Sequence, residues 1–353
     1  MRRSLIYERF SLSWRNNSMA ELVWKNKHHP DDQHKITAIP LLITHQQHHP
    51  QGESVDPLCT DQWRNRLILA DRCDALLALQ PEFSDSVNLI YIDPPFMTGR
   101  TFRSGREVAY KDTWHNNLDT YLQWLYETLI LLYPLLAPDG SLYIHLDWRV
   151  THYARVMLDD IFGGNAHADG AGFKNEIIWQ YQSGGRPQKG YARKHDTILF
   201  YTKSEQYTFH GERISERRGT HRRNHMRKAI DEQGRISWTI RSAGRIYSYH
   251  EDTLMSPSDV WSDISHLHQK DPERTGYATQ KPEALLERIL LASSEENDLV
   301  LDCFCGSGVT PVVAERLGRR WIACDQSEMA LRMTSERLLS SERKWPFSVQ
   351  SLE

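Results

Sequence analysis

The sequence predicts an α/β protein built on a mostly parallel sheet, with helices on both faces and a polar segment inserted after its middle. Three observations carry this prediction. From residue 67 onward, short β-rich runs that are almost wholly apolar alternate with stretches of helical periodicity. These runs do not alternate polar with apolar residues; strands of this kind are buried on both faces, as in parallel sheets sandwiched between helices. After the strand candidate "DTILFYT" the rhythm lapses into a basic segment of scattered Gly, Ser and Arg without a sustained period, before it resumes at "KPEALLERILLAS".

Taken in order, "KHHPDDQHK" and "THQQHHPQGES" are polar, His-rich and Pro-bearing, so residues 1–62 read as a flexible leader. The basic start lacks an apolar stretch before small residues and makes a poor signal peptide, and Met19 competes with Met1 as the start. "RLILA" and "SVNLIYI" read as strands around the short helix "DRCDALLALQPEF". "LDTYLQWLYETLILLYPLLAPDG" has helical spacing that stops at Pro138-Asp139-Gly140, before the strand "SLYIHL". "NEIIWQY" and "DTILFYT" are two further strands. After the insertion come the helix "KPEALLERILLAS", with Pro282 in its first turn, the strand "DLVLDCF", the helix "GVTPVVAERLG", the strand "RRWIACD" and the helix "SEMALRMTSERLLSS".

A chain of 353 residues holds one large domain with an insertion, or two domains. No run approaches the ~20 apolar residues of a membrane span. The five cysteines (59, 73, 303, 305 and 324) form no disulfide framework or zinc spacing, which fits a reducing, cytoplasmic compartment and no metal. The net charge of −3 conceals an asymmetry. Residues 184–245 carry fifteen Lys/Arg against six Asp/Glu, a surplus of nine, so the remainder is net −12. A basic block on an acidic protein points to a polyanionic partner, against the plainer reading of a solvated basic face.

Two loops carry chemistry. "VLDCFCGSGVT" (300–310) is a strand, a Gly-rich turn and a helix start. Gly306 and Gly308 would let the backbone approach a ligand at a sheet's carboxyl edge. The pattern is neither GxGxxG nor a P-loop. The next strand ends in Asp325, placed either to bind ribose hydroxyls or to cap the helix from Ser327. Cys303 and Cys305 read as packing residues.

The second loop is "IDPPF" (92–96), where two prolines end a buried strand and leave Asp93 and Phe96 on a restricted tip. The exocyclic amine of a nucleobase is a poor nucleophile, because its lone pair is delocalised into the ring. Two rigid acceptors, the Asp93 carboxylate and the Pro94 carbonyl, could bond both N–H groups and favour the pyramidal form. Phe96 offers a face for an unstacked base, and Asp93 would stabilise positive charge developing on nitrogen. The alternative is that Asp-Pro-Pro only forms a turn.

With both loops present, the sequence resembles a DNA methyltransferase of the exocyclic-amino group, in which a D/N/S-P-P-Y/F/W loop meets S-adenosylmethionine bound at an FxGxG loop. The catalytic loop precedes the cofactor loop here and the basic stretch lies between them, an order that resembles the circularly permuted β-class. The resemblance spans roughly 63–342. It implies a Rossmann-like methyltransferase sheet divided into a catalytic half (63–203), a target-recognition insert (204–275) and a cofactor half (276–342), followed by a tail (343–353). It implies catalytic roles for Asp93, Pro94, Pro95 and Phe96. On the cofactor side it implies Asp302, Phe304, Cys305, Gly306 and Gly308 around the methionine portion, Asp325 on the ribose, Asp71 near the adenine and Lys281 near the carboxylate. The ring is Phe96 rather than the commoner Tyr, which keeps stacking and loses a hydroxyl. An Asp at 93 leans toward adenine N6 over cytosine N4.

Double-stranded DNA is then the expected partner, with Arg217, Arg218, Arg222, Arg223, Arg227 and Lys228 of the 213–228 run as phosphate contacts, or else a solvated loop. A cognate restriction endonuclease and a homodimer are partners the resemblance also allows. An RNA or protein-glutamine methyltransferase and a non-catalytic DNA-binding module are more distant alternatives. The acid at 93 and the loop order count against the first, and the retained glycines and Asp93 against the second.

Overall fold

The computed structural model describes residues 22–28, 41–47, 63–115, 117–163, 170–182, 187–217, 225–230, 232–341 and 345–352. The order of elements is β1 (Leu41–Gln47), β2 (Asn65–Leu69), α1 (Arg72–Phe83), β3 (Val87–Ile92), β4 (Arg100–Ser104), β5 (Glu107–Asp112), α2 (Leu118–Leu132), β6 (Leu136–Leu146), α3 (Thr151–Ile161), β7 (Gly172–Gln180) and β8 (His195–Thr202). The inserted region supplies β9 (Glu216–Arg217), β10 (Arg227–Ile230), β11 (Ile236–Ser242), β12 (Arg245–His250), β13 (Leu254–Met255) and β14 (Val260–Trp261). The chain closes with α4 (Glu283–Ser293), β15 (Leu299–Asp302), α5 (Val309–Arg316), β16 (Arg320–Asp325), α6 (Glu328–Ser340) and β17 (Phe347–Leu352).

One ten-stranded sheet in the order β1-β17-β2-β16-β15-β3-β6-β8-β7-β14 organises the molecule. The run from β17 to β6 is parallel throughout, while β1, β8 and β7 bring antiparallel pairings. Successive residues of each central strand enter opposite layers, as the two-residue period of a strand requires. Ile68, Ile90 and Leu301 pack with Leu76, Leu125 and Leu158 of α1–α3. Leu67, Leu89 and Val300 pack with Ile289, Val313 and Leu338 of α4–α6. The sheet is thus covered on both faces, and the expected α/β architecture is the one observed.

Three boundaries differ from the sequence expectation. The helix α2 stops at Leu132; a 3-10 turn follows at Tyr133–Leu135, and β6 starts at Leu136 instead of Ser141. Pro138-Asp139-Gly140 therefore lies within that strand, where the register against β3 shifts between Val87↔Leu136 and Leu89↔Ser141 and makes room for the unpaired residues. The expected C-terminal tail instead contributes β17, whose residues 347–351 pair in parallel with 65–69. Parts of the expected leader also join the body. β1 pairs with β17, and the buried Trp24 lies edge-on to Tyr126 at 5.3 Å.

Within the expected insert, β10-β11-β12 form a separate three-stranded meander and β9 pairs with β13. The segments flanking them belong to the body. Arg213 is bound by Glu295, and β14 joins the main sheet beside β7. The separate part therefore runs from about 216 to 255.

Candidate active site

Strands β3 and β15 are parallel neighbours, with Leu89 opposite Val300 and Ile90 opposite Leu301. Two loops about two hundred residues apart in sequence consequently leave the sheet side by side at its carboxyl edge, the place where open α/β sheets bind ligands. An open cleft lies there. Among the residues singled out in the sequence, its walls contain Asp71, Asp93, Pro95, Lys281, Asp302, Phe304, Cys305, Gly306 and Asp325. Pro94, Phe96 and Gly308 are beside the cleft and do not line it.

The Asp93 loop is restrained by more than its prolines. The Tyr121 hydroxyl donates to the Pro95 carbonyl at 2.8 Å. Asp112, fully buried at the end of β5, accepts the Met97 N–H at 2.9 Å, the Thr98 N–H at 2.7 Å, the Thr98 hydroxyl at 2.6 Å and the Trp114 indole N–H at 2.8 Å. Met97 sits at φ +59, a conformation unfavourable for a side chain of that kind and maintained by its surroundings. Asp112 and the β4–β5 hairpin escaped the sequence reading because the tie is made by an acid sixteen positions beyond Phe96, with no local signal.

Asp93 uses one carboxylate oxygen, Oδ2, to bind the Lys281 ammonium, which also lies 5.2 Å from the centre of the Phe96 ring. Its other oxygen, Oδ1, is buried and accepts no hydrogen bond within the structure. Two further acids stand nearby. Asp302 accepts the Phe304 N–H at 2.9 Å and the Thr310 hydroxyl at 2.5 Å, and its burial pushes its pKa up to about 7. Burial likewise pushes Asp325 up to about 6, against hydrogen bonds from the backbone N–H groups of Ser327 (2.9 Å) and Gly306 (3.0 Å). The helix N-cap of α6 is Ser327, so Asp325 serves the turn as a tie to Gly306 and not as the cap itself.

Both glycines of the turn have positive φ, +50 at Gly306 and +75 at Gly308. A side chain at either position would run into packed protein. A Cβ at Gly308 would stand 2.6 Å from the Thr334 hydroxyl, and one at Gly306 would stand 3.0 Å from the Tyr277 ring. The glycines thus allow α6 and the 277 segment to close on the turn. Cys305 is buried, donates its N–H to the Cys324 carbonyl at 3.0 Å, and has its thiol pushed well up by burial. Cys303 and Cys324 are shifted in the same direction by the same cause, which suits packing residues and not nucleophiles.

At the other end of the cleft, Asp71 caps α1 by accepting the Cys73 N–H at 2.9 Å and pairs with Arg72 at 2.9 Å. The Arg72 guanidinium lies 4.4 Å from the Trp124 ring centre, and Trp124 is 5.5 Å from Phe304. This gives the cleft an aromatic end suited to a planar heterocycle.

Three of the expected phosphate contacts are exposed. Arg217 is exposed in β9, and Arg227 and Lys228 are exposed in β10. Arg218, Arg222 and Arg223 lie outside the described residues. Arg213, at the head of the basic run, is committed to Glu295 at 2.8–2.9 Å. A cationic and aromatic cluster not singled out in the sequence stands at the sheet edge used by the Asp93 loop. Trp148, 44% exposed, has the guanidinium of Arg193 3.8 Å and that of Arg149 4.8 Å from its ring centre.

Comparison with known proteins accounts for this arrangement. Residues 87–336 match the family model for N6/N4 enzymes described as DNA methylase. The Type II methyltransferase M.HpaI of Haemophilus parainfluenzae is 32% identical over 77% of this chain and 74% of its own length. The DNA adenine methyltransferase YhdJ of Escherichia coli K12 is 31% identical over 75% of this chain and 80% of its own length. Among solved structures, PvuII DNA methyltransferase, described as cytosine-N4-specific, superposes with a TM-score of 0.52 at 17% identity, covering 79% of this chain and 88% of that one. It shares the fold. With Asp-Pro-Pro-Phe and the Gly306 turn on adjacent strands of that fold, the chain belongs to the DNA methylase family and is a DNA methyltransferase.

Proposed function

We propose that the protein transfers the methyl group of S-adenosylmethionine to the exocyclic amine of a base swung out of duplex DNA, adenine N6 in the first place and cytosine N4 as the alternative. The observation that carries this reading is the buried Oδ1 of Asp93. An acceptor without a donor, in a cleft shared with the Gly306 turn, suits an N–H brought by a substrate. The name of the Escherichia coli relative supports adenine.

The cleft suits the cofactor chemically. Trp124 and Phe304 offer faces to an adenine ring, the Asp325 carboxylate offers acceptors to ribose hydroxyls, and the Lys281 ammonium offers a partner to a carboxylate. When bound, S-adenosylmethionine supplies an electrophilic methyl group on a positively charged sulfur.

The chain's own residues act on the base. Phe96 provides a stacking face for a ring that has left the duplex, a step that costs a few kcal/mol. Asp93 and the Pro94 carbonyl accept the two N–H groups and turn the nitrogen lone pair outward, and the carboxylate offsets positive charge as it appears on that nitrogen. The bonds to Asp112 and Tyr121 hold these acceptors still, so little ordering remains once the base arrives. As the N–CH₃ bond forms, the bond from that carbon to sulfur would break and leave a neutral thioether, and the proton lost from nitrogen would pass to solvent.

Phosphate contacts from the exposed Arg217, Arg227 and Lys228, and from Arg193 beside Trp148, would hold the duplex against the sheet edge. A restriction endonuclease reading the same site belongs to this reading as well, supported by the Type II naming of the relatives. Incubating the protein with DNA and methyl-labelled cofactor, then digesting the DNA to nucleosides, tests the proposal. Label in N6-methyladenine is expected, label in N4-methylcytosine selects the alternative, and unlabelled DNA refutes both.

A further inference from the structure

Beneath Phe96 runs a buried polar chain to which the reaction above assigns nothing. His145, fully buried in β6, lies with its imidazole nearly parallel to the Phe96 ring, at 18° and 6.0 Å between centres. Its Nδ1 faces the Tyr91 hydroxyl at 3.0 Å and its Nε2 faces an oxygen of Asp196 at 3.2 Å. The other oxygen of Asp196 accepts the Tyr181 hydroxyl at 2.8 Å. The indole of Trp179 meets the imidazole edge-on, at 87° and 5.5 Å.

The donor inventory fixes the direction of both bonds to Asp196. An ionised carboxylate only accepts, so Nε2 carries a proton and donates to Asp196; in the neutral ring, Nδ1 then accepts from Tyr91. Each side chain in the series has its partner, and the plane of the imidazole is set by bonds at two ring nitrogens and an aromatic edge. Such fully satisfied buried networks rigidify their surroundings. Phe96 sits on a proline loop and packs against the apolar layer beneath it, and among the described residues this imidazole is the ring stacked nearly parallel to it.

We propose that His145 and Asp196 are positioning residues for methyl transfer: they set the plane of Phe96, and through it the plane of the target base. The inference rests on the functional reading in which that base stacks on Phe96. Alignment of the reacting atoms depends on the tilt of the base, because a displacement of about 1 Å at a reacting centre costs on the order of a hundredfold in rate.

The experiment measures kcat, KM for DNA and cofactor affinity in His145→Phe, His145→Gln and Asp196→Asn, each with Phe96 intact and with Phe96→Ala. With Phe96 present, His145→Phe and Asp196→Asn are expected to lower kcat about 10–100-fold, with KM for DNA and cofactor affinity within about threefold of the parent. His145→Gln, whose amide both donates and accepts, is expected to recover part of the loss. In the Phe96→Ala background the same changes should cost less than about twofold, because coupled residues do not add. Unchanged kcat in both variants overturns the inference, and so does an undiminished loss without Phe96. Should His145→Phe fail to fold, Asp196→Asn decides by the same criteria. A parent protein that methylates no DNA refutes the functional reading and this inference with it, whereas an active parent with unaffected variants refutes the inference alone.

Discussion

The ammonium of Lys281 binds the carboxylate of Asp93 across 188 positions of sequence, and with Phe96 5.2 Å away it occupies the surroundings proposed for the substrate's amine. One cation is therefore shared between two tasks, neutralising Asp93 and meeting a cofactor carboxylate. Removing the acid should free the cation. Asp93→Ala is expected to abolish methyl transfer while cofactor affinity, read by calorimetry, holds or rises. Lys281→Met should weaken cofactor binding about 10–100-fold, the loss of one charge-assisted bond. A drop in cofactor affinity in Asp93→Ala would make the acid structural and remove it from the chemistry.

Asp112 contributes to the same site from behind. Four donors converge on its buried carboxylate, and an amide in its place would turn an NH₂ group toward at least one of them. Asp112→Asn is expected to destabilise the protein by about 2–4 kcal/mol in urea unfolding, since charged hydrogen bonds are lost and a buried donor is left facing a donor. Turnover should fall further than cofactor affinity, because Met97 at φ +59 is freed to relax. Equal losses in both would show that the residue supports the whole fold and not this loop.

Gly308 tests the packing account of the glycine turn. A Val there would drive its Cβ into Thr334 at 2.6–2.9 Å and would have to accept φ +75. Overpacking of this kind costs about 1–3 kcal/mol. Gly308→Val is expected to lower thermal stability and cofactor affinity together, and Thr334→Ala in the same chain should restore part of both by opening the space. Failure of Thr334→Ala to restore stability would mean that backbone strain, and not the contact, dominates.

The pH dependence follows from Asp302 and Asp325, whose burial raises them to about 7 and about 6. For a carboxyl raised on folding, the folded state holds more protons than the unfolded state between the ordinary and the raised values. The stability of the ligand-free protein should therefore decline as pH rises from about 4 toward about 7 on account of these two groups. Ligand binding runs the other way. Ribose hydroxyls need an ionised acceptor, and a positively charged sulfur favours the ionised acid, so cofactor affinity should increase through the same window with release of protons. Calorimetry in buffers of different ionisation enthalpy measures that release, and a pH-independent affinity between 5 and 8 would remove Asp325 from cofactor binding.

Much of the fold was legible because a doubly covered parallel sheet writes its strands as apolar runs, and "NLIYI" and "LVLD" are unmistakable in that sense. The loops they lead to were legible because prolines and glycines force chain reversals. What escaped has a common cause. β17 is a short run, "FSVQSL", paired to residues nearly three hundred positions away, and nothing local marks it. Asp112, His145 and Asp196 act through side chains that meet only after folding, and an isolated His inside "SLYIHL" reads as one more strand residue. Arg213 misled for the same reason, since its counter-ion Glu295 lies eighty-two positions on.

That last point redistributes the expected DNA contacts and can be checked by salt. Each phosphate neutralised contributes about 0.9 to the slope of log affinity against log salt on duplex DNA. Arg213 is held by Glu295, so Arg213→Ala should leave the slope unchanged. Arg227→Ala and Lys228→Ala carry exposed charges on the separate meander and should each reduce it by about one unit. Arg193→Ala removes a cation stacked at 3.8 Å on Trp148, which stands at the sheet edge proposed to receive the base. Its loss should reduce the slope and also the fluorescence gain of 2-aminopurine placed at the target position, because base opening and phosphate contact coincide there. Slopes that fall for Arg213→Ala and hold for Arg193→Ala would return the duplex to the basic run and away from the sheet edge.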